Sequence, residues 1–539
     1  MKKAFLTLVA FFLFTLGGWS QQPKLVVGIV VDQMRPDYLV RYKKHFTEGG
    51  FNRFLNEGAV CKNVKYNYKQ TYTGPGHASI YTGSTPMHHG IIANNWFDKV
   101  LSESVYCVQD DSTQTVGSTT DYGKMAPTRM LATTITDQLR IQSQFRSKVV
   151  GVALKDRGSI LPAGHQPTGS YWYDKQTGQF ITSSYYTKQL PKWVSDFNRR
   201  GNANDYLNKT WDFFLDEDAY TESEEDIQPY EAIFGGKKTA SFPYQLRKLR
   251  KENGNFRLLP STPFGNSITT DFALAALEGE EMGQGEHMDF LALSYSSTDY
   301  IGHSFGPQSK EIEDCYIRLD RELKLLFDYL DKEVGVGEYL VFLTADHAVA
   351  EPVGFMKKHQ MPAGGYMGKS IMTKVDIELL TVFETDELVS SFSNEQVFLN
   401  HAKIKALDLD VEDVSDLVAA TIKAHDGVVE VFTQEELMEN TSEDPIVAAL
   451  QNGIHPKRSG DLIVLFEPGW MPKLSYASTH GTSYNYDAHV PLLWYGNGIK
   501  KQHIYKAYSI TDIAYTLSMM LDITLPNAAN GQAILELLK

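Results

Sequence analysis

Short β-branched runs, apolar from end to end and then stopped by a polar or charged residue, recur along this chain and constrain its fold more than any other feature. The first is "KLVVGIVVDQM" at 24–34. A strand with one solvated face alternates apolar and polar residues, whereas a continuous apolar run belongs to a strand buried on both faces, as in a parallel sheet. The shape returns in "SKVVGVALKDR" (147–157), "MDFLALSYSSTDYIGH" (288–303), "YLVFLTADHA" (339–348) and "HVPLLWYG" (489–496). Between them lie stretches with helical spacing, such as "SITTDFALAALEGEEM" (267–282) and "SKEIEDCYIRLDRELKLLFDYLDKEV" (309–334), and a last helix is expected after Thr511. The alternation predicts an α/β fold: a doubly wound, mostly parallel sheet with helices on both faces. In such sheets ligands collect beyond the carboxyl ends of the strands, where the polar residues of each run stand.

Stretches near 98–145 and 160–262, rich in Tyr, Ser, Thr and Asp, and a small mixed lobe near 376–455 do not fit the alternation and are expected as inserted cap lobes. The acidic run "DEDAYTESEED" (216–226) reads as a solvated loop, with a calcium site as the less favoured alternative. At the N-terminus, Lys2 and Lys3 precede an apolar stretch from Ala4 to Leu16 and then Gly18 and Ser20, the form of a cleaved secretory signal over 1–20, with 21–539 as one catalytic domain. The stretch is too short to span a membrane comfortably, so no stable membrane insertion is expected after cleavage, and the acid-poor, lysine-led start predicts a bacterial exported protein, periplasmic or secreted. An uncleaved amphipathic anchor is the weaker alternative. Lys+Arg 51 against Asp+Glu 66 gives a net charge of −15, which argues against nucleic acid or anionic membrane as partner. An anionic small-molecule substrate would need cations built into its site. Cys61, Cys107 and Cys315 are an odd number at no metal-ligand spacing, and a Cys61 to Cys107 bridge stays open. The oligomeric state is not legible, and a monomer is compatible with the sequence.

The strand ends carry chemistry. Asp32 ends the first run, Asp299 and His303 follow the third, Asp346 and His347 follow the fourth, and His480 lies in "ASTHGTSYNYDAHVPLL". Singly, such residues are more often helix caps or hydrogen-bonded core imidazoles. Jointly they place three carboxylates and three imidazoles on the rim where the sheet binds ligands. That donor set suits zinc, and six ligands fit two ions, the clamp for in-line displacement at phosphorus. His77, His88, His89 and His489 have no such support and are read as structural.

In "TYTGPGHASIYTG" (71–83), Thr71 and Thr73 precede a helix that Gly74 and Pro75 open, with free N–H groups to aim at an anion. A hydroxyl is a poor nucleophile unless a metal or base activates it. In "KDR", read as strand, Lys155 and Arg157 project from one face with Asp156 turned away. Two cations beside an anion site are unexpected as mere solvated residues in an acidic chain.

In order from about residue 24 to the C-terminus, "VVGIVVDQMRPDY", "TGPGHASIYTG", "HGIIANNWFD", "VALKDR", "SSTDYIGH", "TADHA" and "THGTSYNYDAHVPLL" resemble the motif series of the alkaline phosphatase superfamily. The resemblance is closest to the periplasmic two-zinc phosphomonoesterases of flavobacterial type. It implies one zinc on Asp32, Asp346, His347 and the nucleophile oxygen, and a second on Asp299, His303 and His480, with His489 only starting a strand. It makes Thr73 the nucleophile and Thr71 scaffold. It implies that Lys155 and Arg157 contact phosphate oxygens and that Asn94, rather than Asn95, donates to the phosphoryl group. The charges of two zincs balance Asp32, Asp299, Asp346 and a Thr73 alkoxide, so Lys155 and Arg157 supply the excess that matches a monoester dianion. The implied reaction runs through a phosphothreonine that water hydrolyses, with phosphate monoesters as substrates. The alternatives are a nucleotide pyrophosphatase or phosphodiesterase on the same scaffold, or a binding protein that has lost turnover. Ala348 departs from the family, which carries glycine there, and would be strained if that position needs a positive φ.

Overall fold

The computed structural model describes residues 22–439, 443–473 and 477–538; the expected signal at 1–20 lies outside them. All five apolar runs form strands of one sheet of eleven: Leu25–Val31, Val149–Ala153, Asp289–Tyr295, Tyr339–Thr344 and His489–Gly496. Leu25–Val31 lies at the middle, parallel to Asp289–Tyr295 on one side and to Tyr339–Thr344 on the other. Val149–Ala153 and then Gly169–Asp174 continue the parallel series. Every residue of the three central strands is buried. Each Val, Leu or Ile side chain so buried contributes roughly 1.5–3 kcal/mol.

Helices Phe264–Gly279 and Lys310–Leu330 pack together on one face, and Thr73–Thr82, Asp156–Ala163 and Asp512–Leu521 form a layer on the other. The parallel strands end level with one another: Val30 lies opposite both Ser294 and Thr344, and Ser294 lies opposite Ala153. Asp32, Lys155, Asp299 and Asp346 therefore leave the sheet along one edge.

Two expectations change. His489–Gly496 has the same apolar shape as the parallel runs yet pairs antiparallel with Tyr339–Thr344, with Leu492 opposite Thr344. Its first residue, not its last, lies at the carboxyl edge, so the loop before it delivers His480. Hydropathy carries no strand direction. Within 160–262, Gly169–Asp174 and Gln179–Ser183 are sheet strands and not a cap. Their polar residues hide them: Ser170 Oγ shares a 2.7 Å hydrogen bond with Ser159 Oγ, and Thr182 Oγ1 donates to Ser170 O at 2.6 Å. A strand satisfied internally need not read as an apolar run.

The stretch near 376–455 lies in a lobe with its own four-stranded sheet, Val389–Ser393, Gln396–Leu399, Leu462–Phe466 and Val428–Thr433, and a separate core running from Tyr366 to Phe466. The lobe extends past the expected bounds because helix Gly368–Phe383 and strand Leu462–Phe466 complete that core. The three cysteines are buried and unpaired, so Cys61 and Cys107 form no bridge.

Candidate active site

Thr73 is the first residue of helix Thr73–Thr82, and Tyr72 is its cap without a capping side chain. The helix sits against the loop after Tyr339–Thr344: a Cβ on Gly76 would lie 2.3 Å from the Asp346 carbonyl oxygen, so that position admits only glycine. Of the N–H groups expected to be free at this helix start, those of Gly74 and Gly76 are taken. Gly74 N–H donates to Asn94 Oδ1 at 2.8 Å, Pro75 has none, and Gly76 N–H returns to Tyr72 O at 2.9 Å. Positive charge at the site comes instead from side chains. The same bond fixes Asn94 by its oxygen and leaves its amide nitrogen as the donor end.

Lys155 and Arg157 are not on a strand. The strand ends at Ala153, Lys155 caps the helix Asp156–Ala163, and Arg157 lies in its first turn. Both still reach Thr73, with Lys155 Nζ 3.4 Å and an Arg157 guanidinium nitrogen 3.3 Å from Thr73 Oγ1. The Lys155 ammonium also bridges Asp32 Oδ2 and Asp299 Oδ2, each at 2.6 Å. Burial alone would lower its pKa, but Asp299 and Asp32 hold it above the usual value. Arg157 donates to Tyr106 Oη at 3.0 Å, and that hydroxyl is held by Asp156.

The three imidazoles share one arrangement. Nδ1 of His303, His347 and His480 faces the carbonyl oxygens of Ser478, Ala348 and Thr71 at 2.8, 3.0 and 2.7 Å. A carbonyl only accepts, so Nδ1 carries the proton and Nε2 presents a lone pair to the site. Burial pushes the pKa of His347 and His480 down to about 3, keeping both neutral. His303 rises above its ordinary value: burial lowers it, but Asp299 outweighs that. Nε2 of His303 and of His480 stand 3.2 and 3.5 Å from Asp299 Oδ1.

Two ligand groups result, Asp299–His303–His480 and Asp32–Asp299–His347, each with its atoms within 4.8 Å of one another. Asp299 is common to both. Asp346 borders the second group, with Oδ2 3.6 Å from His347 Nε2. Asp32 Oδ1, Asp346 Oδ2 and His347 Nε2 are buried and make no hydrogen bond among the described residues. Buried carboxylate and imidazole atoms without partners are costly, and these three converge, so the residues fit a bound cation. Burial, with the Asp299 charge adding to it, raises the pKa of Asp32 well above the carboxylate range; burial raises Asp346 to about 6. Asp299 goes the other way, since His303 and Lys155 overcome its burial.

His77, read as structural, uses both ring nitrogens, on Thr73 O and Ser294 Oγ at 2.9 Å each. Ala348 is not among the positive-φ residues and its N–H donates to Asp487 O at 2.8 Å, so alanine costs no strain there. Sequence reading missed Gln33 and Asp487. Gln33 has a left-handed backbone, φ 65°, which sends its N–H to Asp346 Oδ1 at 3.2 Å and Nε2 to Asp299 Oδ1 at 2.8 Å. Its one signal was adjacency to Asp32. Asp487 accepts from the amides of Gly481 and Thr482 at 3.1 and 2.9 Å, fixing the loop that carries His480. Gln33→Ala is expected to weaken cation retention about 10–100-fold, as loss of a group orienting a ligand does; dialysis against graded chelator measures it.

Residues 26–489 match the family described as type I phosphodiesterase/nucleotide pyrophosphatase. Over 96% of its length and 95% of the relative's, the chain is 45% identical to alkaline phosphatase PafA of Elizabethkingia meningoseptica. It is 43% identical to alkaline phosphatase PhoV of Synechococcus elongatus, over 96% of this chain and 93% of that one. The crystal structure of wild-type PafA superposes with a TM-score of 0.93 over 96% of this chain and 99% of that one.

Proposed function

The chain belongs to the type I phosphodiesterase/nucleotide pyrophosphatase family of the alkaline phosphatase superfamily, and within it we propose an enzyme that hydrolyses monoesters through a phosphothreonine at Thr73 and two zinc ions. It is a hydrolase of phosphate monoesters. The observation that carries this reading over the diester activity in the family's description is the pair of cations at the nucleophile: Lys155 and Arg157 both approach Thr73 Oγ1 within 3.4 Å. A monoester dianion presents one more negative oxygen than a diester, and two cations in a water-poor site reward that difference.

Asp32, Asp346 and His347 would hold one zinc and Asp299, His303 and His480 the other. Bound there, the ions would lower the pKa of the threonine hydroxyl and offset charge on the departing oxygen. The chain's own residues position the rest. Thr73 Oγ1 attacks phosphorus, the ester oxygen leaves and takes up a proton, and water then cleaves the phosphothreonine to phosphate and free Thr73. Arg157, braced by Tyr106, and Asn94, anchored through Gly74, hold equatorial oxygens. Lys155 is shared between substrate and carboxylates, so cations bound at Asp32 and Asp299 would free its ammonium for phosphate. Export through the 1–20 segment would place this chemistry in the periplasm or medium. Among the described residues no helix is long and apolar enough to cross a membrane.

Arg157→Ala is expected to lower kcat/KM for a monoester about 10²-fold, the usual cost of one donor to a developing oxyanion. The diester rate should change by much less; paired assays on the two esters read the difference. The covalent step is tested by acid quenching during turnover and mass spectrometry of the peptide around residues 71–83: phosphate on Thr73 is expected, and an unmodified peptide throughout turnover would overturn the covalent route.

A further inference from the structure

Away from the catalytic edge, a second set of buried ligand atoms has no partner. His45 ends the 3-10 turn Lys43–His45, Glu222 belongs to the acidic run, and Glu313 lies in the first turn of helix Lys310–Leu330. His45 Nε2 stands 3.5 Å from Glu222 Oε2 and 3.5 Å from Glu313 Oε1. None of these three atoms makes a hydrogen bond among the described residues, and the Glu313 side chain is 0% exposed. We propose that His45, Glu222 and Glu313 form a binding site for one further divalent cation, of zinc type, that fastens the acidic loop to the core.

The distances favour an ion over a hydrogen bond. A charged N–H···O contact closes to about 2.7–2.9 Å, whereas ligands about 2.1 Å from a tetrahedral zinc stand about 3.4 Å apart. The neighbouring groups are already arranged around the three atoms. Glu313 Oε2 accepts from Ser223 Oγ, Glu222 Oε1 pairs with Lys44 Nζ at 2.7 Å, and an Arg41 guanidinium nitrogen donates to the Glu222 carbonyl at 2.7 Å. Each leaves the inward oxygen alone. One imidazole and two carboxylates suit zinc or a similar transition metal; calcium prefers six to eight oxygens. The acidic run thus takes part in a mixed site, which its own carboxylates could not announce because the histidine and the buried glutamate lie far from it in sequence.

The test is zinc content per chain after equilibration with zinc alone, comparing the full-length protein with Glu222→Gln and Glu313→Gln. Both variants are measured in the native background and in an Asp299→Ala background that disables the catalytic centre. One zinc fewer per chain is expected in each variant in both backgrounds, with monoester turnover at saturating zinc unchanged in the native background. The comparison is a difference, so it holds whatever number the catalytic centre binds. Glu222 lies at the rim of the site, so its variant reports even if Glu313→Gln fails to fold. Equal zinc content in parent and variant would overturn the site and leave Glu222 and Glu313 sharing a proton.

Discussion

Thr73→Ala is expected to remove turnover of phosphate monoesters, lowering kcat/KM by at least about 10³-fold, which is about 4 kcal/mol of transition-state stabilisation. The helix should survive, because the Thr73 hydroxyl bonds to Lys155 and Arg157 and caps no backbone group among the described residues. The zinc ligands Asp299, His303 and His480 come from other segments, so zinc content should fall little. Thr73→Ser restores a hydroxyl in the same place and should retain most of the rate. Retained turnover in Thr73→Ala would move the nucleophile elsewhere, with Thr71 excluded by its own bond: Thr71 Oγ1 donates to Thr482 O at 2.9 Å.

Asp299→Ala should be as severe, since this carboxylate is shared by both ligand groups and also holds Lys155 and Gln33. Loss of bound zinc and at least about 10³-fold lower kcat/KM are expected. Chelating the native protein should do the same reversibly, with zinc restoring the rate. The sign of the pH effect follows from the carboxylates. Asp346 is raised to about 6 in the metal-free fold, so its contribution to stability is lost as pH rises through that value. Asp32 is raised likewise, while Asp299 is depressed and titrates below this window. Bound cations favour the ionised carboxylates and reverse the effect. The gap in Tm between zinc-loaded and chelated protein should therefore widen from about pH 5 to about pH 8; a gap that narrows would contradict the assignment.

Much of the site was legible because buried parallel strands write themselves as apolar runs, and the residue that stops each run is displayed at one edge. Asp32 and Asp346 are of this kind, and Asp299 follows its strand in the first turn of helix Ser297–Phe305. His480 was harder, since its strand runs the other way and hydropathy carries no direction. Lys155 and Arg157 were read as strand neighbours, yet they lie in a strand-to-helix turn where a two-residue spacing also brings both to Thr73. For the Gly74 N–H, the expectation of a free group was a local inference that a distant side chain overturned: nothing near Gly74 in the sequence says that Asn94 will occupy its amide. Gln33 escaped because its role depends on a left-handed backbone. The strands at Gly169–Asp174 and Gln179–Ser183 escaped because their hydroxyls are satisfied inside the fold, that of Ser170 by Ser159 on the covering helix and that of Thr182 by the Ser170 carbonyl.

Charge at Thr73 decides between the two ester classes of this family, and paired kinetics on p-nitrophenyl phosphate and bis-p-nitrophenyl phosphate measure it with one leaving group. With Lys155 Nζ and Arg157 within 3.4 Å of Thr73 Oγ1, kcat/KM for the monoester should exceed that for the diester by at least about 10²-fold. Equal rates, or a preference for the diester, would contradict the phosphomonoesterase reading.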